Sequence, residues 1–171
     1  MKRLHLQSNQ FMKAITLALL SLAVFSSSLF SASWFATSGS NTSWQGQTLR
    51  QAGERSGLLV STAVRAAQLA EPAYASTLAR EFNMLEPEDA MKWWVLRPDA
   101  RSYDFRQGDE LVQFAREHQM KVRGHCLVWG RSNPEWLTHG HFTARQLSRL
   151  LHEHIKRVMR HYAGQVFAWD V

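Results

Sequence analysis

Residues 82–94, FNMLEPEDAMKWW, join a short apolar run to three acids, a lysine and two tryptophans. The run NMLE is closed by a proline, which is typical of a brief buried strand. Residues 88–95 then predict a short helix that stops before the next proline. Glu88, Asp89 and Lys92 therefore come directly after a strand. These three residues either stabilise the start of a helix or bind a polar ligand. The other segments of the chain distinguish these two roles.

Strand and helix patterns alternate along the rest of the chain. Apolar runs predict strands, and apolar residues at helical spacing predict helices between them. The predicted strands are 56–64, 83–86, 120–129 and 165–171, and the predicted helices are 71–82, 88–95, 107–119 and 143–162. Because no hairpin signal joins two strands, this order builds parallel βαβ units. The fold class is α/β, either as a small open parallel sheet or as half of an eight-fold barrel. A dinucleotide fold is poorly supported, because no glycine-rich loop follows the first strand.

The N-terminus has the layout of an export signal. Lys2, Arg3 and Lys13 precede the apolar segment AITLALLSLAVF, and a serine-rich stretch follows it. This order predicts a signal peptide over residues 1–36, with a retained membrane anchor as the alternative. Residues 37–48, TSGSNTSWQGQT, predict a flexible linker. We expect a secreted or periplasmic protein without stable membrane association once the signal peptide is cleaved.

The composition is that of one ordinary globular domain, with 45% hydrophobic and 20% charged residues in a chain of 171. The net charge of +6 falls to +3 without the three N-terminal cations, because 17 basic and 14 acidic residues then remain. These basic residues are scattered, so we predict no nucleic-acid partner. Cys126 is the single cysteine, and His152 and His154 point to different sides of a predicted helix. We therefore predict no disulfide, no metal site and no cofactor.

Polar and aromatic residues gather at the predicted strand ends. His125 and Trp129 lie at the end of the third strand, and Asp170 lies at the end of the fourth. Parallel architectures bind ligands at the carboxyl ends of their strands, so these side chains and the acids after strand two should share one rim. Carboxylates and a lysine pair with hydroxyls in both directions, and an indole packs on the apolar face of a sugar. This favours a polyhydroxylated ligand. The alternative is structural, with acids at a helix start, an ordinary Glu88–Lys92 ion pair and His125 in the core.

Three segments resemble one known family in the same order and spacing. The segment EPEDAMKWW, 86–94, is similar to the Pro-Glu-Asn-x-Met-Lys-Trp segment of glycoside hydrolase family 10, the endo-1,4-β-xylanases. The segment VRGHCLVWGRSNPEWL, 122–137, resembles its Arg-Gly-His-x-Leu-Val-Trp segment. FAWDV, 167–171, resembles the start of its Trp-Asp-Val-Val-Asn-Glu segment. The resemblance implies a (β/α)8 TIM barrel, of which residues 49–171 cover about the first four βα units.

The resemblance also implies a role for each matching residue. Glu88, Asp89 and Lys92 match residues that hold xylose hydroxyls on the glycone side of the cleft. His125 and Trp129 match residues that line the sugar next to the scissile bond. The implied partner is xylan or a xylo-oligosaccharide, and the implied full-length enzyme is a monomer.

The chain departs from the family pattern at four positions near these motifs. Asp89 stands where the family usually has Asn, so an amide donor becomes an acceptor only. Ala90 replaces a frequent Glu, Trp94 a frequent Asp, and Gly130 a frequent His. These changes bear on substrate preference and leave the scaffold prediction unchanged.

The family's acid/base glutamate lies three residues past the WDV segment and its nucleophile lies further on, so we expect both beyond Val171. A retaining glycosidase needs two carboxyl groups about 5–5.5 Å apart. We therefore expect the N-terminal piece of a secreted retaining endo-1,4-β-xylanase, inactive alone and prone to aggregate through unpaired sheet edges. A non-catalytic carbohydrate-binding protein and an envelope-anchored scaffold are the alternatives.

Overall fold

The computed structural model describes residues 46–171. In chain order the elements are α1 (Leu49–Arg55), β1 (Ser61–Val64), a 3-10 helix (Ala66–Ala70), α2 (Pro72–Glu81), β2 (Met84–Pro87), α3 (Trp93–Leu96), α4 (Arg106–Glu117), β3 (Lys121–Gly124), α5 (Glu135–Thr138), α6 (Ala144–His161) and β4 (Ala168–Trp169). The predicted signal peptide or anchor and most of the predicted linker lie outside the described residues. Within the described residues, no helix combines the length and the apolar character needed to cross a membrane.

The four strands form one parallel sheet in the order β1-β2-β3-β4. Ser61 pairs with Met84, which pairs with Lys121, so the first three strands begin level with one another. Helices lie between consecutive strands in the chain, as parallel connections require. The predicted α/β class is therefore confirmed, and the carboxyl ends of all four strands lie along one edge.

Alternate residues of the strands divide the sheet into an apolar face and a charged face. Leu85 and Val122 are buried with side chains of α4 and α6, among them Leu111 and Val158. Side chains in a strand point alternately to opposite faces. Glu86, next to Leu85, and the arginine next to Val122 therefore project on the other side of the sheet.

Capping boxes fix the starts of two helices. The predicted box at α6 is confirmed, since the Gln146 amide N–H donates to Thr143 Oγ1 at 3.3 Å and the Thr143 N–H donates to Gln146 Oε1 at 2.8 Å. The same arrangement joins Thr48 and Gln51 at the start of α1, which the sequence analysis had assigned to a linker and an unassigned stretch. The box gives the Gln51 amide and the Thr48 amide side-chain partners, which stabilises the start of α1.

The predicted helix over 88–95 is wrong in its first half. Residues 88–92 form bends and a turn, and α3 starts only at Trp93. The Glu88 amide still donates to the Val64 carbonyl at 2.9 Å, and the Lys92 amide donates to the Asp89 carbonyl at 2.9 Å. The first bond holds Glu88 against β1 and the second closes a turn over residues 89–92, and α3 begins after that turn.

Three further predicted strands are shorter than expected, and the first of them, predicted over 56–64, begins only at Ser61. The strand predicted over 120–129 ends at Gly124, and the last predicted strand is reduced to two residues. Beyond Gly124 the chain stays buried without strand pairing, because Cys126 and Leu127 are both 3% exposed. The loop predicted after it contains the short helix α5.

Candidate functional site

Lys92 occupies the centre of the rim that follows β2. Its side chain is only 14% exposed, and its Nζ donates to Asp89 Oδ1 at 2.8 Å. The same Nζ lies 5.3 Å from the centroid of the Trp129 ring, within the range of a cation–π contact. Glu88 and Asp89 lie in the bends before α3, so they do not cap a helix dipole. The sequence alternative was an ordinary ion pair between Glu88 and Lys92, four residues apart. Within residues 46–171 no salt bridge joins these two side chains, because Glu88 pairs with Arg65 and Lys92 pairs with Asp89.

Arg65 is a rim residue that the sequence analysis missed. It follows β1, and its Nη2 lies 2.6 Å from Glu88 Oε1, while its Nε lies 3.7 Å from Asp89 Oδ2. The hydrogen bond and charge of Glu88 raise the pKa of Arg65. Arg65 could have been identified from its position directly after an apolar run, because residues that follow parallel strands lie at the same edge of the sheet. A cavity of about 210 Å³ beside this cluster is lined by Arg65, Asp89 and Trp94, among others.

His125 and Trp129 lie on the neighbouring part of the rim. Their ring centroids are 6.0 Å apart, with the planes tilted by 55°. His125 Nδ1 is 3.0 Å from Asp170 Oδ2, at the end of β4. The hydrogen bond from Arg123 is the main cause that lowers the pKa of Asp170. An ionised Asp170 only accepts, so we assign the donating hydrogen of this bond to His125 Nδ1.

Four charged or titratable side chains, which lie on or directly after β2, β3 and β4, are close together beside this rim. Arg123 Nη2 lies 2.6 Å from Asp170 Oδ1, and its Nε lies 3.5 Å from Glu86 Oε2. Glu86, His125 and Asp170 each offer one donor atom, all within 4.8 Å of one another, which is a spacing that a metal ion could use. The guanidinium of Arg123 already compensates the two carboxylates, and its charge opposes a cation. The donor chemistry therefore fits an internal ion-pair network better than a metal site.

The five residues singled out from the sequence form one continuous series of contacts. Lys92 links Asp89 to Trp129, Trp129 adjoins His125, and Arg65 ties Glu88 into the same cluster. The rim thus presents carboxylate and imidazole acceptors, an ammonium donor and an indole on one edge of a parallel sheet. This arrangement can bind several hydroxyl groups in both hydrogen-bonding directions beside an apolar ring face.

The fold and the rim define a protein of the parallel α/β-barrel class with its site at the carboxyl ends of the strands. Residues 48–171 match Glycosyl hydrolase family 10, and the chain belongs to that family. The four parallel strands and their helices are accordingly a partial (β/α)8 barrel, as the sequence predicted.

Relatives and solved structures agree on this assignment. The chain is 48% identical over 98 residues to a beta-1,4-xylanase of Dictyoglomus thermophilum, covering 57% of this chain and 27% of that protein. It is 38% identical over 125 residues to endo-1,4-beta-xylanase D of Talaromyces funiculosus, covering 72% of this chain and 31% of that protein. Xylanase 10B of Thermotoga petrophila RKU-1 in complex with xylobiose superposes with a TM-score of 0.69 at 35% identity, covering 74% of this chain and 40% of that structure. The chain thus spans less than a third of the length of these two relatives.

Proposed function

We propose that this chain supplies the glycone-side binding half of the cleft of a secreted, retaining endo-1,4-β-xylanase that cleaves xylan. The observation that carries the proposal is the contact series from Asp89 through Lys92 and Trp129 to His125. A single ion pair at a helix start would not bring an indole to the same lysine and an imidazole to that indole. The names of similar xylanases, one of them solved with xylobiose, support xylose as the sugar.

Each rim residue has a defined part in this proposal. Glu88 and Asp89 accept hydrogen bonds from sugar hydroxyls, and Lys92 donates one. The Trp129 indole packs on the apolar face of the pyranose ring, and His125 Nε2 hydrogen-bonds to a hydroxyl next to the scissile bond. Because Asp89 also holds Lys92, the ammonium stays at the rim in the absence of sugar and loses little side-chain entropy on binding.

We infer that the two catalytic carboxylates come from sequence outside these 171 residues. Retention requires an acid/base and a nucleophile about 5–5.5 Å apart on the two sides of the bond. The hydrogen bond from Arg123 lowers the pKa of Asp170, which makes this carboxylate unsuited to protonating a leaving group, and the Glu88 carboxylate is already paired with Arg65. The chain alone is then a binding half without hydrolytic activity.

The test replaces Glu88 and Lys92 by alanine, singly, in the intact protein that contains this chain. We expect the KM for a xylo-oligosaccharide to rise about tenfold in each variant, because each loses a hydrogen bond to or from a charged group. Glu110→Ala, an exposed position on α4 away from the rim, is the matched control and should leave KM unchanged. If KM stays at the wild-type value in both rim variants, the binding assignment is wrong.

A non-catalytic carbohydrate-binding protein is the second candidate, because the described rim supplies contacts but no suitable pair of carboxylates. Reducing-sugar release from xylan by the intact protein separates the two. Hydrolysis supports the enzyme, and xylo-oligosaccharide binding without hydrolysis supports the binding protein.

Export rests on the signal-peptide pattern in residues 1–36. We propose a secreted or periplasmic, monomeric protein. Mass spectrometry of the exported protein tests this: a new N-terminus near Ser33 or Ala36 supports cleavage, and an intact Met1 contradicts it.

A further inference from the structure

A surface cavity separate from the rim lies between α6 and the start of α4. It has a volume of about 370 Å³, close to the lower limit of the range of small-ligand sites. Its lining consists of Phe105 and five side chains of α6: Glu153, Lys156, Arg157, Arg160 and His161. All six residues that line the cavity lie within residues 46–171.

The cavity carries an excess of positive charge. Lys156, Arg157 and Arg160 are exposed, and within residues 46–171 none of them takes part in a salt bridge. Glu153 is the single acid of the lining, and its nearest cationic partner, the buried Arg97, is 3.6 Å away. Three cations therefore face one carboxylate, so an anionic group would be attracted and hydrogen-bonded there.

The histidine and the phenylalanine of the lining are occupied by other contacts. His161 Nε2 lies 2.6 Å from Asp109 Oδ1, and its ring stacks on Phe105 with centroids 3.8 Å apart. The Phe105 ring also lies nearly parallel to Tyr103, with centroids 5.6 Å apart. The aromatic rings of the lining are therefore already engaged with one another, which disfavours stacking of a nucleic-acid base.

The position on α6 keeps the cavity open to solvent. Helical geometry of 3.6 residues per turn puts Glu153, Arg157 and Arg160 on the side turned away from the core residue Val158. The outer side of a barrel helix faces water rather than the strands. The exposed apolar residues of α6, such as Met159, lie outside the lining of this cavity.

We propose that this cavity binds a uronic acid residue of an acidic polysaccharide. The three cations bind the sugar carboxylate, and Glu153 accepts hydrogen bonds from the sugar hydroxyls. Glu153 favours this ligand over a simple anion such as sulfate, because its carboxylate accepts from hydroxyl donors that a uronic acid carries and sulfate lacks. The inference goes beyond the proposed function and depends on different residues.

The first test titrates the intact protein with trigalacturonate by calorimetry, with xylotriose as the neutral comparison. Arg157→Ala/Arg160→Ala should raise the Kd for trigalacturonate about tenfold. The matched control, Arg145→Ala/Arg149→Ala, removes the same charge from the same helix outside the cavity and should change the Kd less than about twofold. Absence of trigalacturonate binding, or equal losses in both double variants, would overturn the proposal.

The second test uses Glu153→Gln with two probes, trigalacturonate and inorganic sulfate. Removing the negative charge should raise the affinity for sulfate by a factor about threefold larger than for trigalacturonate, because only the sugar acid loses a charge-assisted hydrogen bond from its hydroxyls. Equal gains for the two probes would indicate a plain positive patch and would overturn the proposal. Because both tests measure binding of an acidic sugar, their failure leaves the rim proposal intact, since that proposal is tested by KM on neutral substrates.

Discussion

His154 is expected to make this fold sensitive to acid. Its side chain is fully buried and its ring stacks on Trp93, with centroids 4.1 Å apart. Its Nε2 lies 3.1 Å from the Leu127 carbonyl, which can only accept, so Nε2 carries the hydrogen and Nδ1 has no partner within the described residues. Burial, reinforced by the charge of Arg97, lowers the pKa of His154 from 6.5 to about 4.

The direction and size of the effect follow from proton linkage. The unfolded chain takes up a proton near pH 6.5, whereas folded His154 takes one up only near pH 4. The contribution to stability is therefore complete above pH 6.5 and is lost as the pH falls toward 4. At about 1.4 kcal/mol for each pH unit, the whole gap corresponds to about 3 kcal/mol, of which about 2.5 kcal/mol is lost by pH 4.5.

The assay compares the free energy of unfolding of the intact protein at pH 7.5 and pH 4.5 in denaturant titrations. His154→Phe keeps an aromatic ring against Trp93 and cannot be protonated, so it should lose about 2.5 kcal/mol less than the wild type over this range. The control, His152→Phe, changes an exposed histidine on the same helix and should retain the full wild-type loss. Equal losses in His154→Phe and the wild type would refute the reasoning.

Three further predictions concern the rim and the fold. Arg123→Ala should raise the KM for xylo-oligosaccharides and alter the dependence of KM on pH, because Arg123 would no longer hold Asp170 in the position that orients His125. Arg123→Lys should restore part of the lost affinity. An unchanged dependence of KM on pH would contradict this prediction. Asp89→Asn should make KM less sensitive to salt, because the acceptor of Lys92 Nζ changes from a charged carboxylate to an uncharged amide oxygen; KM measured against ionic strength tests it. Thr143→Ala should lower the free energy of unfolding by about 1 kcal/mol, while Thr143→Ser should not, since serine keeps the capping oxygen.

The order of elements could be predicted from the sequence because buried strands and amphipathic helices have different apolar periods. Helix α6 was clearest, with its capping box at Thr143. Element ends were harder: burial continues past Gly124 through Cys126 and Leu127, so an apolar run alone does not separate strand from buried loop. The stretch before Trp93 is held by a hydrogen bond from the Glu88 amide to Val64 of β1, a partner that only the folded sheet supplies.

The candidate site could be predicted in part for a similar reason. Residues directly after parallel strands must share one edge, which brought His125 and Lys92 together from distant segments. Arg65 and Arg123 were missed because their importance depends on which carboxylate each side chain reaches. That choice follows from strand register and side-chain direction, which composition and spacing do not determine.

The most direct test of the central claim is a crystal structure of the intact protein with bound xylotriose. The binding proposal predicts a xylose unit whose hydroxyls lie about 3 Å from Lys92 Nζ and from a Glu88 carboxylate oxygen, with its ring against Trp129. An ordered sugar elsewhere in the cleft, touching none of these three side chains, would contradict it.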